Sequence, residues 1–103
     1  MEVKIYFAGI DESKSFVSLI EEKLTESVTK YFDIAVGAEV YFKKEGPEFL
    51  CTIIVNEGVK GGGIEIKGDH QSHDIHSSFS QACEKVEKQL RRYKTKLKNH
   101  HAS

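Results

Sequence analysis

Seven cations are gathered in the last twenty residues of this 103-residue chain: Lys85, Lys88, Arg91, Arg92, Lys94, Lys96 and Lys98. Lys85, Lys88, Arg92 and Lys96 recur at intervals of three and four, which predicts one helix face, turned away from the apolar one. Ammonium and guanidinium groups in such a row form charge-assisted hydrogen bonds to phosphate, the chemistry of contact with a nucleic-acid backbone. Arg91, Lys94 and Lys98 widen the row, and Glu84 and Glu87 are the two acids among them. A solvated helix face is the plainer reading of most lysine-rich helices. Here seven cations face two acids, and the self-repulsion is relieved only by an anionic partner. The row has no interleaved aromatics, so it suits a folded, phosphate-lined surface better than stacking on unpaired bases.

Other constellations carry less. His70, His73 and His76 form an H-x-x-H-x-x-H series, and imidazoles can ligate transition metals. The spacing crosses the predicted junction between a loop and a helix, and no Cys or acid completes a site, so capping and surface polarity are the preferred reading. Gly61, Gly62 and Gly63 lack the surrounding pattern of a phosphate loop and read as a hairpin turn. Asp69 and Asp74 read as turn and cap residues rather than an acid/base pair. No arrangement supports nucleophilic or metal catalysis, so neither an enzyme nor a cofactor nor a small-molecule substrate is expected. Cys51 and Cys83 occupy apolar-periodic positions and read as buried, reduced thiols of a cytoplasmic protein.

Charge singles out the same terminal segment. From Glu84 onward the net formal charge is +5, whereas the first 83 residues sum to −6, giving −1 overall. A near-neutral chain of this kind can still present a strongly basic element to a polyanion. No apolar run approaches the roughly 20 residues of a membrane span. MEVKIYFAG lacks the basic leader of a signal peptide.

The elements that must position the cations follow from periodicity. Ile75, Phe79, Ala82, Cys83, Val86, Leu90, Tyr93 and Leu97 alternate at three and four, predicting one buried face of a long helix over 74–101. Alternation predicts strands over 2–8, 35–43, 48–56 and 63–68, with Phe49, Cys51, Ile53 and Val55 inward in the third. A first helix spans about 14–32, with Phe16, Leu19, Ile20, Leu24, Val28 and Tyr31 on its apolar face and Asp11 or Ser13 as N-cap. Residues 69–73 read as a polar connection, with Ser72 or Asp74 capping the long helix. The order β-α-β-β-β-α predicts a two-layer α+β sandwich: a four-stranded mixed sheet with two helices packed on one face. The first two strands should be parallel and the later ones antiparallel. Residues 1–103 form one domain.

The stretch Asp74-Ile75-His76, followed by Glu84-Lys85-Val86-Glu87-Lys88-Gln89-Leu90-Arg91-Arg92-Tyr93-Lys94, resembles the last helix of the bacterial ribosome hibernation-promoting factors. That family includes the ribosome-associated inhibitor and is also called sigma-54 modulation protein. The element order and the Lys43-Lys44-Glu45-Gly46 turn fit as well. The resemblance implies a stress-response, stationary-phase domain that binds the small ribosomal subunit and its rRNA in the decoding region, occluding the mRNA and tRNA sites. Carried onto this chain, it implies rRNA contacts by Lys85, Lys88, Arg91 and Arg92, continued by Lys94 and Lys96. Lys23 and Lys30 are the matching residues of the first helix. The family usually has an aromatic where this chain has His76. Long members continue through a linker into a domain that pairs ribosomes, and the ending RRYKTKLKNHH resembles that boundary. The chain thus reads as the N-terminal part of a long form or as a short form, with ribosome dimerisation only if a second domain is present. Two other readings stay open: a general double-stranded-RNA-binding module, and a protein-interaction domain that docks an acidic partner.

Overall fold

The computed structural model describes residues 1–32, 35–57 and 64–102, with side chains of the last helix described to Thr95. Strand β1 (Glu2–Ala8) leads into helix α1 (Lys14–Thr29); strands β2 (Ala35–Glu45), β3 (Glu48–Glu57) and β4 (Ile64–Ser72) follow, and helix α2 (Ile75–Ala102) closes the chain. The strands lie in sheet order β1-β2-β3-β4. β1 and β2 are parallel, as a crossover through a helix requires, and β2–β3 and β3–β4 are antiparallel. The predicted mixed sheet with two helices is therefore the observed one.

Period-two alternation decides which face the helices cover. Ala38, Val40 and Phe42 of β2, Cys51, Ile53 and Val55 of β3, and Ile66 of β4 are buried on one side. α1 meets them with Phe16, Ile20, Leu24 and Val28, and α2 with Phe79, Ala82, Cys83, Val86 and Leu90. Phe16 joins the layers, its ring 5.4 Å from Phe42 and 6.4 Å from Phe79. Each fully buried Ile, Leu or Val here contributes roughly 1.5–3 kcal/mol relative to exposure. The capping residues are Ser13, whose Oγ accepts from the Phe16 amide, and Asp74, whose Oδ1 accepts from the His76 amide at 3.2 Å. Gly46 takes a φ of +59° at the first central position of the Gly46–Pro47 hairpin turn, a conformation that favours glycine.

Two boundaries and the exposure of one side chain differ from the sequence expectation. β4 runs on to Ser72, and residues 69–72, expected as a connection, pair with Thr52, Cys51, Leu50 and Phe49. Cross-strand pairing sustains this polar stretch where its own hydropathy gives no strand signal. α1 stops at Thr29, and Tyr31 and Phe32 close it with amides donating to the Val28 carbonyl. Leu19, expected on the apolar face, is 44% exposed. The glycine-rich loop of Gly61, Gly62 and Gly63 lies outside the described residues.

The two thiols sit in the interior as free cysteines. Burial pushes both upward from the ordinary thiol pKa; at Cys83 a hydrogen bond with Ser27 opposes the rise. Because the thiolate is the nucleophile, neither should react with a thiol reagent in the native protein, and both should react after unfolding in denaturant. Rapid native labelling at either position would contradict this placement.

Candidate nucleic-acid interface

The basic helix owes its position to a close crossing over β4. Gly68 has no side chain, and a Cβ there would lie 2.9 Å from the Ala82 carbonyl oxygen, 3.0 Å from Val86 Cγ2 and 3.2 Å from Lys85 Cβ. α2 therefore rests almost on the strand backbone. Two helix side chains lock the crossing: Lys85 Nζ donates to the Asp69 carbonyl at 2.7 Å, and Gln89 Nε2 donates to the Lys67 carbonyl at 2.6 Å. These bonds satisfy outward carbonyls of an edge strand, which would otherwise be open to pairing with another chain.

At about 100° per residue the helical cations divide between two flanks rather than forming one outer row. Lys85, Lys88 and Arg92 lie toward β4. There they line an open cleft of about 290 Å³ together with Lys67, Gly68, Asp69 and Gln89. Lys67 comes from the strand, and no helical periodicity could have revealed it. Lys85, expected on the outer face, stands on this flank with its ammonium already on the Asp69 carbonyl. Arg91 is exposed on the outer side, beside Lys88, Glu84 and Glu87.

The other flank faces α1. Glu87 turns there and accepts from Lys30 Nζ and from the Tyr31 hydroxyl, each at 3.3 Å. Lys30 is thus held in an ion pair against α2, while Lys23 is exposed on α1. Arg91 and Lys94 follow Glu87 by four and seven residues and share its side of the helix. The α1 cations and the β4 cleft are consequently separate parts of one basic surface that wraps α2. The side chains of Lys96 and Lys98 lie outside the described residues.

The histidines are distributed. His70 is in β4 opposite Cys51, and His73 Nε2 lies 3.6 Å from a Glu48 carboxylate oxygen. The His76 ring packs on Phe16, with centroids 4.5 Å apart, so the imidazole itself makes an aromatic contact at the helix start. Among the described residues, no group of three or more His, Cys, Asp or Glu side chains is placed to hold a metal ion.

A surface of this kind can hold several phosphates at once. Lys88 and Arg92 of α2 border the same cleft as Lys67 at the β4 edge, and a guanidinium can grip a phosphate with two parallel hydrogen bonds. The sites belong to elements fixed by buried side chains, so binding requires little backbone ordering and its entropic cost falls on the exposed Lys and Arg side chains.

Comparison with known proteins gives this arrangement a context. The family model described as "Sigma 54 modulation protein / S30EA ribosomal protein" matches residues 3–98. The ribosome hibernation promotion factor of Rhizobium meliloti (strain 1021) is 35% identical over 103 residues, covering 98% of this chain and 52% of that protein. The factor of the same name from Bradyrhizobium diazoefficiens is 26% identical over 104 residues, covering 99% and 49%. The chain spans about half the length of these curated relatives. Among solved structures, a ribosomal subunit interface protein from Coxiella burnetii superposes with a TM-score of 0.74 at 22% identity, covering 92% of this chain and 99% of that one. The N-terminal domain of Thermus thermophilus Protein Y gives 0.73 at 20% identity, covering 90% and 99%. At these identities the structural matches establish the fold.

Proposed function

The chain belongs to the sigma 54 modulation protein / S30EA ribosomal protein family, and on that footing we propose that it is a ribosome-binding silencer of translation. It docks on the small subunit at the decoding region, with the surface around α2 against rRNA phosphates, and occludes the mRNA and tRNA sites. The observation that supports this reading is the cleft that Lys85, Lys88 and Arg92 of α2 line together with Lys67 at the β4 edge. Arg91 and Lys94 extend that surface, and Lys23 and Lys30 add to it from α1. No bond is made or broken: occupancy alone excludes the competing RNAs. Binding and occlusion are the steps proposed for these 103 residues, and their place is the bacterial cytoplasm, where the ribosome is.

The experiment is sedimentation of the purified chain with vacant bacterial ribosomes and separated subunits at two salt concentrations. It should travel with the small subunit. If roughly four phosphates are neutralised, doubling the monovalent salt should weaken binding by about tenfold, through counterion release. A flat salt response would remove the phosphate contacts from the account. Equal affinity for a naked RNA duplex would replace the ribosome by double-stranded RNA in general, and binding unaffected by RNase would point to an acidic protein instead.

A further inference from the structure

The sheet face opposite the helices has a different chemistry. Register places Tyr6, Tyr41, Thr52 and Asp69 side by side across all four strands, with Lys4, Glu39, Ile54 and Lys67 in the adjacent row. Tyr6 and Tyr41 are stacked, with ring centroids 4.9 Å apart and an interplanar angle of 13°. They are 47% and 38% exposed, although stacked large aromatics ordinarily gain more from burial than from display. The Tyr41 hydroxyl donates to the Glu39 carboxylate. That hydrogen bond first, then desolvation and the neighbouring charge, push its pKa up to about 12. The phenol therefore stays neutral under physiological conditions. Leu50 and Ile54 beside the pair are half-buried.

The charges on this face decide what it can accept. Lys4 lies 3.8 Å from Glu2, and Lys43 lies 3.0 Å from Glu45, so two of its three lysines are already matched. Glu39, Glu48, Glu65 and Asp69 then stand against Lys67, a net charge of −3 among the described residues. Exposed aromatics on a four-stranded sheet could stack unpaired bases, but this balance repels phosphate. It attracts guanidinium and ammonium groups, which also favour the face of an aromatic ring.

We propose that the Tyr6–Tyr41 face is a docking surface for an arginine- or lysine-rich segment of another protein. Cationic side chains lie over the outer ring faces and pair with Glu39 and Asp69, and their aliphatic stems cover Leu50 and Ile54. The domain then has two surfaces that meet at the β4 edge, where Lys67 and Asp69 border both: a basic one around α2 for RNA and an acidic, aromatic one for a cationic protein segment. This surface does not depend on the ribosomal reading, and it can be tested on the free protein.

The test is an amide NMR titration of the isotope-labelled chain with an oligo-arginine peptide, and separately with an oligo-uridine of equal length. Peptide-induced shifts are expected on β1, β2 and the facing residues of β3 and β4. The Tyr6→Ala/Tyr41→Ala variant should bind about fivefold or more weakly. Glu39→Gln with Asp69→Asn, near-isosteric substitutions at a half-buried and an exposed position, should weaken binding without disturbing the fold. Peptide shifts centred instead on Glu21, Glu22 and Glu26 of α1 would overturn the proposal. So would tighter binding of the oligo-uridine on the sheet face, or wild-type peptide affinity in both folded variants.

Discussion

Reversing the charge of Lys88, Arg91 and Arg92 together, each to Glu, is expected to abolish co-sedimentation with ribosomes while leaving the domain folded. All three are exposed, and substitutions at such positions usually change stability by no more than about 0.5 kcal/mol. A hydrogen bond to a charged group contributes about 1.5–3 kcal/mol. Losing two or three of them, and placing carboxylates against phosphates, should weaken binding by more than about a thousandfold. Lys85 is left out of the set because its ammonium holds the Asp69 carbonyl, so its reversal would confuse binding with stability. Lys67→Glu alone should weaken binding by about tenfold or more, since it removes the strand's contribution to the cleft. Circular dichroism and thermal melting establish folding, and sedimentation at low salt reads the affinity. A folded triple variant that still pellets with the small subunit would remove the α2 surface from the proposed contact.

Lys67 and Lys85 show where sequence reasoning reaches its limit. The three-and-four spacing of Phe79, Ala82, Cys83, Val86 and Leu90 identifies the buried face of α2, because burial on a helix is written at a fixed period. Cys51, Ile53 and Val55 mark the inward face of β3 by the same logic at period two. The cations have no such rule. A charged side chain on a helix flank is as regular as one on the outer face, and only the neighbouring element distinguishes them. That neighbour is β4, whose polar residues 69–72 are strand through pairing with β3. Once β4 is in place, Lys67 joins Lys88 and Arg92, and Lys85 and Gln89 become the groups that satisfy its edge. Glu87 behaves likewise: in the sequence it is an acid diluting a basic run, and in the fold it ties Lys30 and Tyr31 of the α1 side to α2. The Tyr6–Tyr41 stack was hidden for the same reason, since Tyr6 and Tyr41 are 35 positions apart and meet only through the parallel register of β1 and β2.

Gly68→Ala should destabilise the domain, although replacing glycine within a strand ordinarily stabilises by about 0.4–1 kcal/mol through the unfolded chain. The sign reverses because the new methyl group would meet the Ala82 carbonyl oxygen at 2.9 Å. That atom belongs to the backbone of a helix and cannot rotate away as a side chain can. Either α2 lifts from β4 or the strand bends, and both responses strain the Lys85–Asp69 and Gln89–Lys67 bonds. Overpacking of this kind costs about 1–3 kcal/mol for an added methyl, and Gly68→Val, with two more carbons against Val86 and Lys85, should exceed about 3 kcal/mol. In a domain of this size the valine variant's melting temperature should fall on the order of 15 °C. The same displacement moves Lys88 and Arg92 relative to Lys67, so Gly68→Ala, if still folded at the assay temperature, should also bind ribosomes more weakly than the wild type. Chemical denaturation of both variants decides the matter. An alanine variant as stable as the wild type would mean that the helix crosses the strand less closely, and the cleft would then have no fixed floor on which to hold its four cations.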